Sequence, residues 1–111
     1  MIPQSVRIFV CTSPLDMRKS FDTLAFAVKS ILGQDPRSGA LFVFSNKRAN
    51  RMKVLWWDKT GYAMLSKRLH RAVFRLPKAD EPERAGVVIS AKELALILEG
   101  IQLPPRAIKM Q

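Results

Sequence analysis

One cysteine and one histidine stand among 111 residues, and this scarcity removes several chemistries at once. Cys11 has no second thiol to meet, so no internal disulfide forms and nothing asks for an oxidising compartment. With His70 the sole imidazole, a His/Cys metal cluster or a Cys–His nucleophilic pair lacks its partners. His70, set among arginines, reads as a surface residue. The five glycines are isolated, each beside a turn or a helix end, so no phosphate-cradling loop is present. Long apolar runs are missing too. The first, Val6 to Cys11, is interrupted by Arg7 and falls far short of the roughly 20 residues of a membrane-spanning helix. These absences describe a soluble cytoplasmic protein with no metal, no cofactor and no membrane partner. Acids are also few, 9 against 19 Lys and Arg, for a net charge of +10.

What is present is enough apolar material for a core. Hydrophobic residues make up 48% of the chain, which argues against disorder despite the charge and suits one globular domain. We place that domain at 1–103, with 104–111 a frayed tail. Val6 to Cys11 is β-branched and aromatic and reads as a strand. Ser13 and Pro14 look like the cap and first position of a helix, with Asp16 three residues on from the cap. Met17, Phe21, Leu24, Val28, Ile31 and Leu32 supply its apolar stripe, and Gly33 ends it. Leu41 to Phe44 is short and apolar, as a buried strand would be. Arg51 to Asp58 and Tyr62 to Leu69 form a hairpin in which Gly61 takes the positive φ. Arg71 to Leu76 supplies a third strand. An exposed connection, 78–86, leads to a strand at Val87 to Ile89. Ser90 and Glu93 make a capping box for a second helix that ends at Gly100. The expected fold class is α+β, a small mostly antiparallel sheet containing a three-stranded meander, with two helices packed on one face.

That meander carries the charge. Between Lys47 and Lys78, 32 residues hold ten bases and only Asp58 as an acid, leaving nine bases and eight acids in the other 79. Same-sign crowding repels itself unless a counter-charge arrives, and the commonest polyanion in a cell is nucleic acid. The expected contacts are Lys47, Arg48, Arg51, Lys53, Lys67, Arg68, Arg71 and Arg75, joined by Trp57. Neighbouring strand residues face opposite ways, so Trp56 and Trp57 cannot both enter one core. Trp57 shares its face with Arg51 and Lys53 and is expected to be the exposed indole, covered by loops, a partner protein or a stacked base. Tyr62, Arg18 and Lys19 are additional contacts. Arg18 and Lys19 lie where positive charge opposes the helix dipole, which points them to a ligand or to an ion pair between Arg18 and Asp22. Asp16, Asp22 and Asp58 would serve metal-assisted phosphoryl transfer only if the fold gathered them, so the expectation is a protein without enzymatic activity.

Asp16 to Leu24 (DMRKSFDTL), Gly39 to Phe44 (GALFVF), Lys53 to Gly61 (KVLWWDKTG), Lys67 to Leu69 (KRL) and Leu98 to Ile101 (LEGI) occur in a distinctive order. On these segments the chain resembles the TnpB accessory-protein family of the insertion-sequence-sixty-six type of bacterial transposable element. The resemblance runs from about Val6 to Ile101. Ser20 and Thr23 stand where that family commonly has glycine, and Asn50 where an acid is frequent. The resemblance implies a small element-encoded protein that assists DNA transposition beside a larger transposase carrying the catalytic acids. DNA is then the first expected partner, and docking on that transposase the alternative.

Overall fold

Ile8, Phe9 and Val10 open the fold as strand β1 (Ile8–Cys11), at the heart of a computed structural model that describes residues 5–78 and 85–103. Helix α1 (Phe21–Ser30) then crosses to β2 (Leu41–Ser45), which lies parallel to β1. A hairpin follows, β3 (Arg51–Asp58) and β4 (Gly61–Arg68), and β3 pairs antiparallel with β2. After the short strand β5 (Ala72–Val73) the chain returns as β6 (Gly86–Ile89), antiparallel to the other side of β1. The five-stranded sheet has the order β4-β3-β2-β1-β6. Helix α2 (Ala91–Glu99) and strand β7 (Ile101–Gln102) complete the described chain. The α+β class and the mostly antiparallel sheet are as the sequence implies. The proposed tail at 104–111 and most of the 78–86 connection lie outside the described residues.

The two helices, however, cover opposite faces. Ile8, Val10, Val43, Met52 and Val54 pack with Leu94 and Ile97 of α2, whereas Cys11, Phe42, Phe44 and Leu55 pack with Leu24 and Val28 of α1. The reason is legible in β2. All five of its residues, LFVFS, are buried, and a strand apolar on both faces needs a layer on each. Phe42, Phe44 and Leu55 are fully enclosed, so truncating either phenylalanine to alanine costs about 3–5 kcal/mol.

Four local expectations also change. Helix α1 begins at Phe21, seven residues after Pro14, because Asp16 makes a turn of its own. Its carboxylate accepts from the Arg18 backbone N–H at 2.9 Å, and its carbonyl accepts from Lys19 N–H at 3.2 Å. A side chain that captures nearby backbone groups competes with helix formation. Met17 is buried as the stripe requires, but Phe21 is 42% exposed. In the hairpin the positive φ falls on Lys59 rather than Gly61. The meander stops at two strands: Arg71 adopts a φ of 57°, and β5 pairs with β7 in a separate two-stranded sheet. Arg71 and Arg75 therefore leave the sheet on which the sequence pattern places them.

The capping box stands as expected. Ser90 Oγ accepts from Glu93 N–H at 3.1 Å and Glu93 Oε1 from Ser90 N–H at 2.8 Å. Among the described residues no helix is long and apolar enough to cross a membrane.

Candidate nucleic-acid interface

The loop between β2 and β3, residues 46–50, is locked from inside by two asparagines. Asn46 Oδ1 accepts from the backbone N–H of Asn50 (3.1 Å) and Arg51 (3.0 Å), while Asn46 Nδ2 donates to Asn50 Oδ1 at 2.7 Å. Such side-chain closure of a turn is what asparagine does well, and it lets Ala49 hold a φ of 58°. The segment after β4 straps the loop from outside. Leu69 N–H donates to the Asn50 carbonyl at 2.8 Å and Phe74 N–H to the Ala49 carbonyl at 2.7 Å. Phe74 is buried, which anchors the strap. From the other side, Leu15 N–H reaches the carbonyl of Ser45 at 2.9 Å. The basic loop is thus fixed at the end of the sheet where β1 and β2 finish and β3 begins.

Two clefts open on this end and share Arg48. One, of 360 Å³, is lined by Arg18, Arg48 and Arg51 with Asp16, Asn46 and Asn50. The other, of 410 Å³, is lined by Arg48 and Arg71 with Asn50, Leu69 and Leu103. Arg68 belongs beside them, since it sits directly across the hairpin from Arg51. Like charges in directly opposed cross-strand positions are destabilising. Among the described residues neither has an acidic partner. The structure thus brings together Arg18, Arg48, Arg51, Arg68 and Arg71 at one end of the sheet.

The remaining expected contacts are elsewhere or otherwise engaged. Lys53 Nζ donates to the Lys19 carbonyl at 2.6 Å, tying β3 to the turn before α1. Lys67 points to the opposite face and donates to the Leu98 carbonyl at 2.7 Å, in the last turn of α2. Arg75 borders a separate groove beside α2. Lys47 is exposed in the basic loop, and Lys19 is half-buried.

Arg18 pairs with Asp16 rather than Asp22. Its Nε and Nη2 donate to both carboxylate oxygens, at 2.7–3.1 Å, in the one ion pair among the described residues. These hydrogen bonds hold the Asp16 carboxyl well below the usual carboxylate range and raise the Arg18 guanidinium further. The three acids considered for metal chemistry are dispersed. Asp16 lies in the cleft beside Arg51, Asp22 in the first turn of α1, and Asp58 at the far end of β3, about 23 Å along the strand from Arg51. Burial pushes the Cys11 thiol up, away from thiolate chemistry.

The two indoles part as alternation requires. Trp56 packs against the core beneath α2, and Trp57 lies on the α1 face with Lys53 and Leu55. Trp57 is half-buried rather than fully exposed. Tyr62 meets it edge-on, with centroids 5.0 Å apart at 78°, and the Arg37 guanidinium lies 4.5 Å over its ring. Arg37 carried no signal in the sequence beyond its place in a turn. The spacing of Asn46 and Asn50 was the available clue to the locked loop.

Comparison with known proteins places the chain in a family. The family model described as "IS66 Orf2 like protein" matches residues 6–107. The chain is 38% identical over 103 residues to the uncharacterized protein y4hO of Sinorhizobium fredii, covering 91% of this chain and 87% of that one. It is 33% identical over 99 residues to the uncharacterized protein y4jC of the same organism, covering 88% and 81%. No solved structure matches.

Proposed function

The chain belongs to the IS66 Orf2-like family, whose association is with transposition, and from that premise we propose that it is an accessory factor that holds DNA without cutting it. The observation that carries this reading is the unneutralised guanidinium cluster at the end of the sheet. Arg48, Arg51, Arg68 and Arg71 converge there with no acidic partner among the described residues, and Arg51 and Arg68 oppose each other across the hairpin. Folding tolerates that repulsion, and a phosphate backbone relieves it. Guanidinium forks match phosphate oxygens in pairs, which makes arginine the stronger choice for such a surface. The separation of Asp16 from Asp58 supports a non-catalytic role. Binding to duplex DNA is expected to weaken steeply with salt, by about 0.9 in log affinity per unit log salt for each phosphate contacted. A titration across salt concentrations tests it, and affinity that does not change with salt overturns it.

Docking on the transposase is the second reading, favoured by the groove beside α2. That groove measures 590 Å³ and is bordered by Leu96 and Ile101, which are 59% and 39% exposed. Co-purification with the transposase after nuclease treatment, weakened by Leu96→Asp, is the result this reading expects.

A further inference from the structure

The guanidinium cluster accounts for one end of the hairpin and leaves the other unexplained. There, an arginine and two aromatic rings gather where no core requires them. Trp57 belongs to neither buried cluster, although Tyr62 packs partly against the one beneath α1. Arg37 comes from the turn after α1, where Pro36 is buried and the Arg37 backbone N–H donates to Asp35 Oδ1 at 2.9 Å. The turn is fixed while the Arg37 side chain is exposed. Its guanidinium has no acid or hydrogen-bond acceptor among the described residues, only the indole ring. The indole face is thus covered by an exposed side chain with no other partner, and moving that side chain aside opens it to a flat, π-bearing group.

A comparison of magnitudes says which flat group displaces it. An exposed cation–π contact contributes about two- to fivefold to an equilibrium constant, whereas a nucleobase stacked on an aromatic side chain contributes about 5- to 150-fold. The base wins, and the displaced guanidinium remains beside it with donors free for the adjoining phosphate. We propose that Trp57, flanked by Tyr62 and Arg37, is a stacking seat for an unpaired nucleobase. This rests on the nucleic-acid reading above and adds the class of ligand. In continuous duplex every base is stacked within the helix and cannot enter the seat, so single-stranded DNA is the preferred form. The seat lies on the same face as Arg51 and Arg68, six residues along β3, or about 20 Å. One strand can engage both.

The test uses the full chain, oligothymidylate and a duplex of equal phosphate number, with affinity read from the anisotropy of labelled DNA at fixed salt. Trp57→Ala is expected to lose about 5- to 150-fold in affinity for oligothymidylate and to leave duplex affinity unchanged. Trp57→Phe, which keeps an aromatic ring and guards against misfolding, retains most of the single-strand affinity. In a Trp56→Phe background, oligothymidylate quenches the remaining indole fluorescence and duplex does not. Equal loss on both ligands, no loss on either, or quenching by duplex alone overturns the stacking seat. If Arg48→Ala/Arg51→Ala still weakens duplex binding in that event, the phosphate-binding reading survives by itself. Absence of binding to any DNA overturns both.

Discussion

Replacing Lys67 by methionine separates a structural cation from a ligand-binding one. Methionine keeps the apolar stem and removes the ammonium, so the change deletes the bond from Lys67 Nζ to the Leu98 carbonyl at 2.7 Å with little loss of packing. Leu98 lies in the last turn of α2, where four carbonyls have no partner within the helix and the helix dipole favours a cation. A positive charge at such a place contributes about 0.3–1 kcal/mol at the surface, and a hydrogen bond to a charged group somewhat more before screening. Lys67 is exposed, so solvent screening brings the total to about 0.5–1 kcal/mol. Spread over the unfolding entropy of a chain this size, that is about 2–4 °C in Tm. Thermal unfolding followed by circular dichroism reads it directly. An unchanged Tm would refute the assignment of Lys67 to the hairpin–helix tie and return it to the pool of free cations.

Gly100 has a φ of 76° and a ψ of 173°, a region open essentially to glycine alone, and an added Cβ would lie 2.7 Å from Leu69 Cδ1 and 3.3 Å from the Val73 carbonyl oxygen. Gly100→Ala is therefore expected to cost about 1–3 kcal/mol, seen as a lower urea midpoint; an unshifted midpoint would contradict the packing of β7 against β5. Asp16→Asn keeps an oxygen for the Arg18 backbone N–H and removes the charge. Because the Asp16 carboxyl is held below its ordinary value, its ion pair favours the folded state above about pH 4 and is lost as pH falls below it. The native chain should thus lose stability more steeply than the variant between about pH 4 and about pH 2, measured by denaturant midpoints, and parallel acid limbs would count against the pair.

Local chemistry made part of this fold readable and hid the rest. Ser90 and Glu93 sit at the spacing of a reciprocal cap and form one. The hairpin from Arg51 to Arg68 followed from alternation, and so did the opposite facing of Trp56 and Trp57. The start of α1 is hidden because Ser13, Pro14 and Asp16 satisfy the grammar of a helix cap, while the carboxylate in fact holds Arg18. Nothing local reveals that Arg71 takes a positive φ or that β5 and β7 meet, since two-residue strands are specified by what they rest on. The charge of the basic block was plain in the sequence and its location was not. Period two spreads Arg51, Lys53, Lys67 and Arg68 over both faces, whereas the convergence of Arg48 with Arg18, Arg51 and Arg71 needs the loop locked by Asn46 and strapped by Leu69 and Phe74. The strap rests on tertiary contacts, from Leu69 to Asn50 and from Phe74 to Ala49, that no local pattern specifies.

The guanidiniums at the end of the sheet are expected to meet phosphate, while Lys53 and Lys67 serve the fold. The slope of log affinity against log salt for duplex DNA tests it, measured on the native chain, on Arg48→Ala/Arg51→Ala/Arg68→Ala and on Lys53→Met/Lys67→Met. The arginine variant should lose about 2.7 from the magnitude of the slope, close to three phosphates, and the lysine variant should keep the native value. Equal losses in the two variants, or a native slope near zero, would leave the arginine cluster without a phosphate-binding role.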